Sequence, residues 1–62
     1  MKRYQSNDLV EIAGELVGDP TEKAFRIFDG KVTEWVPKSQ VEQISDNLFE
    51  MPYWLAKAKG FL

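Results

Sequence analysis

Apolar and polar residues alternate through the middle of this 62-residue chain, with the period of a β-strand that has one buried face. The stretch EKAFRIFDG, residues 22 to 30, predicts one strand, and KVTEWVP, residues 31 to 37, predicts a second. Asp29-Gly30 is a dipeptide that favours a two-residue hairpin turn. These residues therefore predict a β-hairpin near the centre of the chain.

The second strand of this hairpin has two distinct faces. Period two places Val32 and Val36 on one face and places Lys31, Thr33 and Trp35 on the other. The strand ends at Pro37, because proline has no N–H to donate to a ladder.

After Pro37 the sequence predicts a corner. Lys38-Ser39-Gln40 are too few for an α-helix but suit one 3₁₀ turn, and Val41 to Ile44 predict a further short strand. An apolar residue and a proline followed by one tight turn and a short strand resemble the corner of SH3-like barrels.

Residues 8 to 20 fit two interpretations. As a helix, they begin with Asp8 and Glu11 in capping-box positions, stop at Gly18 and Pro20, and carry an apolar stripe of Leu9, Ile12, Ala13, Leu16 and Val17. As a strand, they place Val10, Ile12 and Leu16 on one face, and Gly14 allows a bend or a close backbone approach. Gly14 costs a helix roughly 1 kcal/mol relative to Ala, which leaves both interpretations open.

The last third of the chain predicts a strand and then a helix. After a turn at residues 45 to 47, LFEM at 48 to 51 predicts a short strand. PYWLAKAKGFL predicts a short helix that starts at Pro52 and stops at Gly60. This helix is expected to dock through Trp54, Leu55 and Ala58, with Phe61 and Leu62 closing over the core.

Together these elements predict a mainly β fold, either a small SH3-like barrel or a curled antiparallel sheet of about five short strands with a C-terminal helix. Residues 1 to 8 are expected to form a flexible tail and residues 9 to 62 a single small domain. The chain contains no Cys and no His, so disulfides and zinc are not expected to reinforce the core.

Charge and hydropathy limit the expected surroundings of the protein. The formal net charge is −2, the wrong sign for a protein whose affinity comes mainly from neutralising phosphates. No apolar run is long enough for a signal peptide or a membrane span. We therefore expect a cytoplasmic protein without a membrane partner.

Catalytic chemistry has little support in this composition. Acid–base catalysis at neutral pH usually uses His, and nucleophilic catalysis usually uses Cys or an activated Ser. The chain has no His or Cys, its three Ser lie apart, and its four Gly form no phosphate-binding loop. The sequence therefore predicts a non-enzymatic protein without a cofactor or metal.

Trp35 is the residue that most strongly suggests binding. If Val32 and Val36 point inward, Trp35 points outward and can anchor a partner. In the alternative, it folds over the rim of the small core or meets the C-terminal helix. The leading hypothesis is a binding module for a protein partner, with Trp35 and the corner Lys38, Ser39 and Gln40 as the contact surface.

Two other functions remain open. Four basic residues of the central hairpin could gather on one side of it: Lys23, Arg26, Lys31 and Lys38. With Trp35 and either Phe25 or Phe28, they would resemble the basic and aromatic surface of a single-stranded nucleic acid binder. Interleaved Glu22, Asp29 and Glu34 would cancel much of that field. The other alternative is a structural subunit that self-associates through an exposed strand edge and Trp35, and the sequence leaves the oligomeric state open.

Three segments carry a resemblance to a known group. TEKAF at 21 to 25, WVPKSQVE at 35 to 42 and PYWLAKAKGFL at 52 to 62 resemble small, mostly uncharacterised proteins of phages and bacterial mobile elements. The resemblance covers nearly all of the chain from about residue 15. It implies a cytoplasmic, non-enzymatic accessory protein and favours the strand interpretation of residues 9 to 17, but it identifies no contact residues.

Overall fold

A computed structural model describes residues 5–62 as two small antiparallel sheets and one short helix. The elements in chain order are β1 Leu9–Ala13, β2 Glu15–Leu16, β3 Ala24–Phe28, β4 Thr33–Pro37, β5 Glu42–Ser45, β6 Leu48–Pro52 and α1 Tyr53–Ala58. The first sheet has the order β1-β6-β5 and the second the order β2-β3-β4. The mainly β prediction with a C-terminal helix is confirmed.

A bend at Gly14 divides the first extended segment between the two sheets. β1 pairs with β6, so that Ile12 lies opposite Phe49, whereas β2 pairs with β3. Gly14 is buried between these strands, and its N–H donates to the Asn47 carbonyl oxygen at 3.0 Å. The strand interpretation of residues 9 to 17 and the bend at Gly14 are both confirmed.

The central hairpin is confirmed, but its turn lies one residue later than the sequence predicts. Phe28 pairs with Thr33, and the Asp29 N–H donates to the Val32 carbonyl oxygen at 3.2 Å. The Asp29 carboxylate accepts the N–H groups of Lys31 and Val32, both at 2.9 Å. These bonds centre the turn on Gly30-Lys31, with Gly30 at a φ of 100°.

The turn gives this hairpin a pH-dependent contribution to stability. The N–H groups of Val32 and Lys31 lower the pKa of Asp29 below its usual value of 3.8, because they stabilise the carboxylate. A lowered pKa in the folded state stabilises the protein above the pKa of the unfolded chain, and this contribution is lost as the pH falls through the folded value.

We therefore expect Asp29→Asn to be less stable than the natural protein near neutral pH, with a difference that shrinks in acid. Urea unfolding of both proteins from about pH 7 to about pH 2 measures this difference. Asn keeps a side-chain oxygen for the same N–H groups but loses the charge. A difference that does not change with pH would contradict the assigned role of the carboxylate.

The corner after β4 has the predicted form. The Gln40 N–H donates to the Pro37 carbonyl oxygen at 3.0 Å, and the Val41 N–H donates to that of Lys38 at 3.4 Å, which gives one tight turn. β5 follows, and Ile44 is the extra residue of a bulge, because Gln43 and Ser45 pair with consecutive residues of β6.

The core lies between the two sheets and α1. Its fully buried large side chains are Phe49, Ile27, Met51 and Val36. The docking face predicted for α1 is partly wrong, because Leu55 and Phe61 are buried, whereas Trp54, Ala58 and Leu62 are exposed. Ala56 takes the remaining buried position of this six-residue helix.

Backbone bonds at both ends determine how α1 is oriented. At its start, the Tyr53 N–H donates to the Asp8 carbonyl oxygen and the Trp54 N–H to that of Ser6. At its end, Gly60 has a φ of 83°, and the Phe61 N–H returns to the Ala56 carbonyl oxygen, as in a Schellman motif. This return brings Phe61 into the core.

The flexible tail predicted for residues 1 to 8 falls partly outside the described residues, which begin at Gln5. Over residues 5–62, the two sheets do not join into one closed barrel. In the same range there is no helix with the length and apolar character needed to cross a bilayer.

Candidate interaction surface

The second sheet has one face turned away from the core, and this face carries the best candidate for a binding surface. Its outward residues, called the Trp35 face below, are Glu15, Val17, Ala24, Arg26, Phe28, Thr33, Trp35 and Pro37. Trp35 is 42% exposed and Phe28 is 39% exposed. All of these residues are exposed or half-buried, so the rest of residues 5–62 leaves this face uncovered.

Trp35 and Arg26 form the centre of the Trp35 face. They are direct partners across β3 and β4, and the Arg26 guanidinium carbon lies 5.8 Å from the Trp35 ring centroid. A cation in this position is attracted by the ring quadrupole, which restricts both side chains before any partner binds. Trp35 therefore points outward, which is the first of the two alternatives predicted from the sequence.

The corner residues occupy a different side of the molecule. The Lys38 ammonium nitrogen lies 5.1 Å from the centroid of the Phe25 ring, and that ring packs against the core. Lys38, Ser39 and Gln40 line a cleft together with Leu9, Glu42 and Glu50. The structure thus separates this corner from Trp35.

The basic residues are divided among three places. Lys23 lies beside Lys38, whose N–H donates to the Lys23 carbonyl oxygen at 2.8 Å. Arg26 lies on the Trp35 face. Lys31 is in the turn beyond the Asp29–Val32 pair, about 20 Å from the Lys23 end of the hairpin, taking about 3.3 Å for each strand residue. Of the four cations, only Arg26 therefore shares a face with Trp35.

Of the two Phe residues that the sequence offered as neighbours of Trp35, Phe28 lies on the Trp35 face, whereas Phe25 packs against the core. One feature of the surface was not identified from the sequence. The outer face of the first sheet carries a row of carboxylates, because Glu50 pairs with Glu11 on one side and with Glu42 on the other. This row depends on the pairing of strands distant in sequence.

No family model, curated protein or solved structure significantly matches this chain. The resemblance to phage and mobile-element proteins therefore stays a prediction. The candidate surface rests on its geometry alone.

Proposed function

We propose that this protein is a small non-enzymatic binding module that recognises a protein partner through the Trp35 face. The observation that carries this proposal is an outward Trp35, 42% exposed and held by Arg26, on a sheet face that the rest of the described chain leaves uncovered. Trp and Arg are the residue types most often found at the energetic centre of protein interfaces.

The surroundings of Trp35 also suit a protein partner. Val17, Phe28 and Pro37 add apolar area on the same face, and Arg26 and Glu15 supply polar groups. Protein interfaces combine an apolar, aromatic centre with a polar rim. The contact with Arg26 favours one position of the Trp35 ring, which reduces the side-chain entropy to be lost on binding.

A single-stranded nucleic acid is the weaker candidate. Such a ligand needs cations that follow its backbone beside the stacking ring. Lys23 and Lys38 lie together at one end of the central hairpin and Lys31 lies at the other. The net charge of −2 adds an unfavourable long-range field.

Replacing Trp35 with Ala is expected to weaken partner binding by about 1–2 kcal/mol, or roughly 5- to 30-fold. The natural protein, immobilised, is used to capture partners from a bacterial lysate, with and without nuclease, and the captured protein is then titrated against each variant. Stability should change by no more than about 1 kcal/mol, because Trp35 is not part of the core.

Trp54→Ala is the matched control, since Trp54 has nearly the same exposure, 41%, but lies on α1. We expect this variant to bind as the natural protein does. Equal loss in both variants, or none in Trp35→Ala, would contradict the proposal. Capture that disappears with nuclease would instead favour the nucleic acid function.

The proposed role is that of an accessory protein of a phage or mobile element, acting in the cytoplasm. An SH3-like arrangement is proposed for its fold. The bend at Gly14 takes one extended segment from the first sheet to the second, as strands do at the corners of small barrels. The turn at Lys38–Gln40 makes a second corner between the same sheets.

A further inference from the structure

The backbone groups of β4 that point away from β3 can be identified from the hydrogen-bond pattern. Bonded and non-bonded residue pairs alternate along an antiparallel ladder. Bonds at both ends of the β3–β4 ladder fix this alternation: Lys38 N–H to the Lys23 carbonyl oxygen, and Asp29 N–H to that of Val32. The bonded pairs are therefore Lys23–Lys38, Phe25–Val36, Ile27–Glu34 and Asp29–Val32.

Thr33 and Trp35 occupy the positions between these bonded pairs, so their N–H and C=O groups face the free edge of β4. Within residues 5–62, no strand pairs with this edge. Such an edge is a template for an added strand. The edge of β5, in contrast, is interrupted by the bulge at Ile44.

Glu34 lies between these two residues on the opposite face of β4 and is half-buried. Within the described chain it has no ion pair. Its own backbone bonds go to β3, so a residue opposite it on an added strand would form a non-bonded pair, in which side chains come closest. A basic side chain at that position would neutralise Glu34.

A second copy of β4 fits this edge poorly. The symmetric antiparallel register that uses Thr33 and Trp35 of both copies sets Glu34 opposite Glu34, and like charges directly opposite each other are destabilising. The symmetric register centred on Trp35 sets Thr33 opposite Pro37, which has no N–H to donate. We therefore expect the strand that pairs with this edge to come from another protein.

We infer that the partner binds by adding an extended antiparallel strand to the free edge of β4. The added segment carries a Lys or Arg opposite Glu34, flanked by apolar residues that lie beside Thr33 and Trp35 on the Trp35 face. This inference rests on the proposed function and specifies its mode of binding and the chemistry of its partner.

Two short capped peptides test this mode, one with alternating Val and Lys and one with alternating Val and Glu. We expect the Val-Lys peptide to slow amide hydrogen exchange at Thr33 and Trp35 by roughly tenfold or more, because both amides gain acceptors. The Val-Glu peptide should leave them unchanged. Failure of the Val-Lys peptide to protect either amide would overturn the inference.

Thr33→Pro removes an N–H that faces the free edge while leaving the bonds between β3 and β4 in place, and proline is tolerated at such edge positions. It should abolish protection of Trp35 by the Val-Lys peptide, whereas the matched variant Thr33→Ala should keep it.

Glu34→Lys tests the charge preference without introducing a proline into β4. This variant should shift the preference toward the Val-Glu peptide by roughly fivefold or more. An unchanged preference would overturn the assigned role of Glu34.

The outcomes separate this inference from the proposed function. If Trp35→Ala loses the captured partner but Thr33→Pro retains it, the Trp35 face stands and strand addition is overturned. If Trp35→Ala retains the partner, the proposed function itself fails. Protection of Thr33 and Trp35 that rises with the concentration of the free protein would identify a second copy as the occupant and overturn the inference.

Discussion

Phe49→Ala is expected to unfold most of the protein at room temperature. Phe49 is fully buried, lies opposite Ile12 across β1 and β6, and its ring centroid is 5.7 Å from that of Phe25. Phe49 of the first sheet therefore packs against Phe25 of the second sheet and joins the two. Truncation of a buried Phe costs about 3–5 kcal/mol, and the core of so small a domain rarely supplies more than about that amount.

Far-ultraviolet circular dichroism and urea unfolding measure this effect directly. Phe28→Ala is the matched control, because Phe28 is 39% exposed on the Trp35 face. We expect that control to lose no more than about 1 kcal/mol of unfolding free energy. A folded Phe49→Ala variant with stability close to that of the control would contradict the core described above.

The second large effect is expected at Gly14. A Cβ on this residue would lie 2.9 Å from the Phe28 carbonyl oxygen and 2.9 Å from Ile27 Cγ2. The first of these atoms belongs to the backbone of β3, which cannot move without disturbing its ladder. Overpacking costs about 1–3 kcal/mol and occasionally more, so Gly14→Ala should lose about that amount and Gly14→Val should lose more.

Urea unfolding measures the cost of this close approach when the unfolding free energies of the Gly14 variants are compared with that of Ala13→Val. Ala13 is the neighbouring residue on β1 and its side chain is exposed. A Val there has room and suits a strand, so we expect a change within about 0.5 kcal/mol. Gly14→Ala with the stability of the natural protein would mean that the bend does not need a glycine.

Alternation of apolar residues was enough to predict the hairpin, and Pro37 with the short polar segment after it was enough to predict the corner. Both features depend on neighbours in sequence. The same alternation left two positions open for Trp35, and only its 42% exposure decides for the outward one. The centre of the turn could not be predicted from the Asp29-Gly30 dipeptide, because it depends on the Asp29 carboxylate bonding to Lys31 and Val32. The Asp29 carboxylate takes the place of a backbone carbonyl as acceptor, which moves the turn by one residue and leaves the alternation of the two strands unchanged.

The orientation of α1 depends on a distant part of the chain. Six helical residues are too few to define an apolar face, and the carbonyl groups of Ser6 and Asp8 help to set which side of α1 turns inward. The apolar pattern of the helix alone therefore does not give its docking face. The separation of Lys31 from Lys38, in contrast, already follows from the predicted hairpin, because these residues stand at opposite ends of its second strand.

Hydrogen exchange of the protein alone and in complex with its captured partner tests the central claim most directly. We predict slowed exchange concentrated in β4 and the adjacent part of β3, around Thr33, Trp35 and Arg26. Slowed exchange confined to the cleft at Lys38–Gln40, or to the carboxylate row of the first sheet, would show that recognition takes place elsewhere on the molecule.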